Sequence, residues 1–168
     1  LIAKMRLAEE GVLDEPSIAD MDLVFSRPES NPEHIYNDIL KHADSSLAPV
    51  ARLKLAMWNL WNKKYAESLE DVRRFQSDYP EHELLPKARE VADAALRDWI
   101  GTDLEKEDFE GAMRHWTAHE NLYQGREPDP RLRLMVATAF MRAGRPEDAL
   151  NMARPFVFGP GPKGELSE

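Results

Sequence analysis

Residues 49–82 read PVARLKLAMWNLWNKKYAESLEDVRRFQSDYPEH, and this stretch decides the fold. Its first part, Val50–Asn62, carries Ala51, Leu53, Leu55, Ala56, Met57, Trp58, Leu60 and Trp61, dense enough for a helix buried on most sides. Lys64–Asp78 carries Tyr65, Leu69, Val72 and Phe75 at spacings of three and four, the period of a helix with one apolar face. Tyr79-Pro80 then stops the second helix, because proline has no amide hydrogen to donate and biases the residue before it away from helical backbone. The spacing therefore predicts two antiparallel helices joined by a tight turn.

The same period continues downstream. Helices are predicted over residues 84–100 (Leu85, Ala88, Val91, Ala92, Ala95, Leu96, Trp99) and 108–123 (Phe109, Ala112, Met113, Trp116, His119, Leu122). Two more are predicted over 131–143 (Leu132, Leu134, Val136, Ala137, Ala139, Phe140) and 146–156 (Ala149, Leu150, Met152, Ala153, Phe156). Gly125 through Pro130 and Gly144-Arg145-Pro146 are breaks between them. Pro146 followed by Glu147 and Asp148 suits a first helical turn, where proline is tolerated and acids complement the dipole. Upstream, residues 1–10 and 32–43 read as helices, the latter with Asn31 as N-cap and Ile35, Tyr36, Ile39 and Leu40 as its apolar face. A short helix near 18–25 stands among Pro16, Pro28 and Pro32. Alternating strand patterns with hairpin signals are missing, so the predicted class is all α, built of antiparallel helix pairs.

Composition bounds the chemistry. The 168 residues carry 22 basic and 31 acidic side chains, a net charge of −9, and no cysteine. Disulfides, thiolate metal sites and thiol catalysis are excluded. The acidic balance argues against nucleic acid and against anionic membranes, both of which select basic surfaces. No apolar run approaches the ~20 residues of a membrane span. Residues 1–44 hold Lys4, Arg6, Arg27 and Lys41 against ten acids and supply most of the negative charge. The chain opens on Leu1 within a helical pattern and ends in a Gly/Pro loop over 158–164, so both ends read as cut from a longer chain. Lack of cysteine suits the cytoplasm and a bacterial periplasm alike.

A sub-pattern recurs at three turns: Lys64-Tyr65-Ala66-Glu67-Ser68-Leu69, Asp108-Phe109-Glu110-Gly111-Ala112-Met113 and Arg145-Pro146-Glu147-Asp148-Ala149-Leu150. The small residues Ser68, Ala112 and Ala149 recur after 44 and 37 residues, a period that marks a solenoid of helix pairs. Small residues let two helices approach to ~8–10 Å. This pattern resembles tetratricopeptide repeats, whose unit is a helix–turn–helix of ~34 residues. Residues 49–82 match best: Ala56 stands at the close-contact position of the first helix, Tyr65 is the turn aromatic, Ser68 the small residue of the second helix, and Pro80 the closing proline. Residues 130–159 match through Ala137, Phe140, Gly144, Ala149 and Ala153. The middle unit, 84–125, is degenerate, with a longer first helix and Ile100 in place of the small residue. The run Phe75-Gln76-Ser77-Asp78-Tyr79-Pro80 followed by Leu85, Ala88 and Val91 is similar to repeats of bacterial envelope assembly lipoproteins and Tol–Pal coordinator proteins.

The resemblance implies a short right-handed solenoid over 45–159, an N-terminal acidic helical segment over 1–44 that acts as a cap or a worn repeat, and a linker tail over 160–168. It implies a non-enzymatic scaffold that binds a peptide or amphipathic helix of another protein in a concave groove lined by first helices. Those positions here are Leu53, Met57, Leu60 and Trp61 from the best repeat, and Arg131, Leu134, Thr138, Met141 and Arg142 from the last. Arg97, Gly101, Leu104 and Glu105 would come from the middle unit. The family's chaperone-binding members clamp a C-terminal carboxylate with lysine and asparagine where this chain has Leu53 and Met57, which argues against that ligand. Trp61 is the candidate exposed anchor, and Trp58, Trp99 and Trp116 are candidate core residues. The alternative is that the apolar stripe packs against another part of the chain or a second copy, making the segment a spacer or oligomerisation element. A third reading is the helical accessory domain of an enzyme whose catalytic part lies elsewhere.

Catalytic and metal-binding patterns are incomplete in this sequence. His115 and His119 are four apart on one helix, a zinc-compatible spacing, but Trp116 stands where a metalloprotease needs glutamate. His119 falls on the apolar face with Ala112 and Trp116 and reads as a packed histidine with a local partner. Asp103, Glu105, Glu107, Asp108 and Glu110 lack the spacing of a calcium loop and read as a solvated turn. Ser30, Ser45 and Ser46 have no His/Asp motif beside them, and Lys63-Lys64 and Arg73-Arg74 read as solvated helix faces. No catalytic residue, metal or cofactor is assigned.

Overall fold

The structure, a computed structural model, describes residues 32–41 and 46–158, without the side chains of Pro155, Val157 and Phe158. The helices expected at 1–10 and 18–25, the Asn31 cap and the Gly/Pro tail lie outside the described residues. The rest is all α-helical. In chain order the helices are α1 (Pro32–Leu40), α2 (Ala48–Trp61), α3 (Tyr65–Asp78), α4 (Leu85–Glu105), α5 (Phe109–His119), a 3₁₀ turn (Glu120–Tyr123), α6 (Pro130–Arg142) and α7 (Pro146–Phe158).

Three helix pairs, α2–α3, α4–α5 and α6–α7, share one kind of turn. Each turn has three residues, and its middle residue takes left-handed backbone: Lys63 at φ 58°, Glu107 at φ 59° and Gly144 at φ 76°. The third residue in each case donates its amide to the carbonyl five positions back. These bonds run from Lys64 to Asn59 at 2.8 Å, from Asp108 to Asp103 at 2.9 Å, and from Arg145 to Phe140 at 2.8 Å. They satisfy carbonyls that the end of a helix otherwise leaves without a partner. Five residues beyond each left-handed position stands Ser68, Ala112 or Ala149, and all three are buried. The recurrence read from the sequence is thus a recurrence of turn geometry.

The chain divides into two compact units between Ala88 and Arg89, within α4. In the first unit, Tyr36 and Ile39 of α1 and Ala51 and Leu55 of α2 form a buried cluster, with Ile35, Leu40, Leu47, Val50 and Trp58 packed around it. Helix α3 joins α2 through the apolar side chains Leu69, Val72 and Phe75, which are fully buried. Two polar contacts pin this pair. The Ser68 hydroxyl donates to the Ala56 carbonyl at 2.8 Å. The buried Asp71 carboxylate accepts from Asn59 Nδ2 at 2.9 Å and from Arg52 at 3.1 Å. Phe75, Tyr79 and His82 then pack edge to face where α3 ends.

In the second unit, α5 begins at Asp108, whose carboxylate accepts from the Gly111 amide at 2.8 Å. Helix α6 begins at Asp129, which accepts from the amides of Arg131 at 2.7 Å and Leu132 at 3.2 Å. Such N-caps supply acceptors for amides that have no partner inside the helix. Helix α4 continues to Glu105, beyond the expected end at Ile100. Gly101-Thr102 does not stop it, because the helix keeps a buried side to its end at Ile100 and Asp103; the Thr102 hydroxyl bonds back to the Asp98 carbonyl at 2.9 Å. The helix expected over 108–123 tightens at Glu120 into a 3₁₀ turn that buries Leu122 and Tyr123.

Candidate functional site

Helix α6 is two-sided. Leu132, Val136, Ala137, Ala139 and Phe140 are buried. Arg131, Leu134, Thr138, Met141 and Arg142 are all exposed and share the opposite stripe. Leu134 is 49 % exposed and Met141 56 %. The Thr138 hydroxyl turns back to the Leu134 carbonyl at 2.9 Å, so its donor is satisfied within the helix. Met135 lies at the edge of this stripe; its Cε sits 3.1 Å from where a Cβ on Gly101 would be, so glycine there allows α4 and α6 to approach.

Helix α2 behaves differently. Its density of apolar residues leaves little free surface: Leu53 is 6 % exposed, and Met57 and Leu60 are half-buried. Trp61 is 38 % exposed. The anchor tryptophan selected from the sequence is therefore a surface residue, while Leu53 belongs to the interior. Trp58 is half-buried against the α1–α2 cluster, and Trp116 is buried. Of the middle-unit positions, Glu105 is exposed, and Arg97 lies 3.8 Å from Asp129.

The histidine pair proves to be part of a packed assembly. His115 stacks on Trp99 with ring centroids 3.7 Å apart, and its Nδ1 lies 2.7 Å from the Asp103 carboxylate. That carboxylate is buried, and a ring proton on Nδ1 would give it a donor. His119 Nδ1 lies 2.9 Å from the His115 carbonyl. Among the described residues no three His, Asp or Glu side chains gather as metal ligands.

Two further polar groupings escaped the sequence reading. One is the Asp71–Arg52–Asn59 clasp. Burial pushes the Asp71 carboxyl above its ordinary range, against the opposing pull of Arg52 and Asn59. The other joins Arg126 to Asp93 at 3.0 Å and to the Arg89 carbonyl at 3.4 Å, with the guanidinium 4.2 Å over the Tyr123 ring. Burial and the neighbouring Asp93 carboxylate push the Tyr123 phenol far up, so it stays protonated. The hydrogen-bonded partners lie 12 to 37 residues apart in the chain and carry no local motif. None of these groupings brings a nucleophile, a base and a substrate pocket together.

No family model matches the chain, and no curated protein or solved structure matches it significantly. Among the described residues no helix is long and apolar enough to cross a membrane.

Proposed function

We propose that the chain is a non-enzymatic scaffold of helical repeats, similar in plan to tetratricopeptide repeats, which binds a peptide or helix of another protein. One observation carries this reading. Among the described residues, five large hydrophobic side chains are exposed: Trp61, Leu134, Met141, Leu150 and Phe156. Three of these are at positions the repeat pattern assigns to a binding face. Leu134 and Met141 share the exposed stripe of α6, and apolar side chains on one exposed helix face offer anchor area to a partner. The three matching turns support the repeat plan.

The test is a pull-down from source-cell lysate with residues 1–168 as bait, beside a Met57→Glu/Trp61→Ala variant checked for intact helicity. A partner retained by the wild type and lost by the folded variant supports the scaffold. Equal recovery by both baits removes α2 from the binding face.

A further inference from the structure

We propose that the exposed stripe of α6 docks an acidic amphipathic helix of a partner protein. This rests on the scaffold reading above and adds the partner's chemistry. Arg131 and Arg142 stand near the two ends of the stripe, about 16 Å apart along the axis at ~1.5 Å per residue. Leu134, Thr138 and Met141 lie between them.

The charge pattern selects the ligand. Helix α6 holds three arginines and no acid. In the same unit five of the nine arginines, Arg97, Arg114, Arg126, Arg133 and Arg145, each have a carboxylate within 4.0 Å. Among the described residues no carboxylate pairs with Arg131 or Arg142; the Arg142 guanidinium lies 6.0 Å over the Phe109 ring instead. The stripe is thus a local reversal of sign on a chain of net charge −9. Elsewhere that net charge repels an acidic partner, so attraction and repulsion together direct it to this face. Leu134 lies about one turn in from Arg131, the adaptable Met141 stands beside Arg142, and both offer apolar area to a helix lying along the stripe. A matching ligand is a helix of about three turns with carboxylates ~16 Å apart and apolar residues between them.

The probes are three fluorescein-labelled helical peptides of about sixteen residues with one shared leucine pattern, flanked by glutamate, glutamine or lysine. Fluorescence anisotropy with the full chain is read at low and high salt. The glutamate peptide is expected to bind roughly tenfold tighter than the glutamine peptide at low salt, with the advantage falling as salt rises. Arg131→Glu/Arg142→Glu is expected to invert the order and favour lysine. Both positions are exposed, and circular dichroism checks that the variant stays folded. A glutamate peptide no tighter than glutamine, or an order unchanged by the charge reversal, overturns the inference. A peptide-free chain whose mass rises with concentration, and no longer does so in Leu134→Glu/Met141→Glu, assigns the stripe to a second copy and also overturns it. Binding that ignores the arginines but is lost in Met57→Glu/Trp61→Ala overturns the stripe and leaves the scaffold standing. Loss of neither kind, or no binding of any peptide, counts against both.

Discussion

The Ser68 hydroxyl donates to the Ala56 carbonyl at 2.8 Å across the α2–α3 contact, with both residues buried. A small side chain allows the approach, and its hydroxyl adds a hydrogen bond that alanine at Ala112 and Ala149 cannot make. Ser68→Ala is expected to cost about 1 kcal/mol, the net worth of one hydrogen bond. Ser68→Leu forces the helices apart and is expected to cost about 1–3 kcal/mol. Urea denaturation of the two variants checks the order; an equal cost would mean that space at Ser68 is not limiting.

The left-handed turn positions make a prediction of opposite signs. Lys63 and Glu107 hold backbone that side chains adopt reluctantly, whereas Gly144 holds it freely. Lys63→Gly and Glu107→Gly are each expected to raise stability by a few tenths to about 1 kcal/mol. Gly144→Ala is expected to lower it by about 1 kcal/mol. Nothing lies within 4 Å of a Cβ built on Gly144, so the loss would come from φ and not from crowding. Thermal melts of the three variants check the signs.

The Asp71 clasp sets a pH dependence. Burial, the largest influence, raises the Asp71 carboxyl above its ordinary 3.8, while Arg52 and Asn59 pull it down. The folded chain therefore binds this proton more tightly than the unfolded chain. The stabilisation is fully present below pH 3.8 and is lost as pH rises through the folded value. Asp71→Asn cannot titrate, so the margin of wild type over this variant is expected to be largest in acid and to shrink as pH rises from 3.8. Denaturation of both chains between about pH 3 and 7 reads that margin. A margin that grows with pH would show that the attraction of Arg52 outweighs burial.

The Asp108 cap depends on a neighbour without a side chain. A Cβ on Gly111 would lie 2.2 Å from Asp108 Oδ2, so Gly111→Ala displaces the carboxylate that accepts the Gly111 amide. The better helix propensity of alanine is worth up to about 1 kcal/mol, and the lost cap costs about as much. Gly111→Ala is therefore expected to be near neutral, and to become stabilising in an Asp108→Ala background where no cap remains to lose. Melts of the single and double variants measure the difference.

Much of this was legible from periodicity. The spacing of Ser68, Ala112 and Ala149 located three turns, because a turn of fixed geometry places the same close contact at the same distance downstream. The stops at Tyr79-Pro80, Gly125–Pro130 and Gly144 fall where α3, the 3₁₀ turn and α6 end. The burial of Leu53 was not legible. A helix that is apolar on most sides gives no phase from which to tell its covered faces, and α2 buries Leu53 while exposing Trp61. On α6 the phase is clear, because Arg131, Thr138 and Arg142 mark the outer stripe. The partnership of Asp103 with His115 was hidden for another reason: it joins residues on separate helices, and Asp103 sits in a run of acids that reads as solvated.

That partnership can be measured. Asp103 is buried with its carboxylate 2.7 Å from His115 Nδ1, and His115 also stacks on Trp99. Removing either member leaves the other's polar group without this partner, and a buried unpaired carboxylate costs more than a half-exposed imidazole. His115→Phe keeps an aromatic ring against Trp99 and strands Asp103, so it is expected to destabilise by about 2–3 kcal/mol. Asp103→Leu strands the ring nitrogen near solvent and is expected to cost about 1–2 kcal/mol. The double variant leaves no polar group stranded and should be more stable than the sum of the two losses predicts, with a coupling of about 1–2 kcal/mol. Chemical denaturation of the four chains closes the cycle, with tryptophan fluorescence reporting whether the ring beside Trp99 is kept. Additive losses would mean that the contact holds no coupling energy and that His115 is retained for its stacking alone.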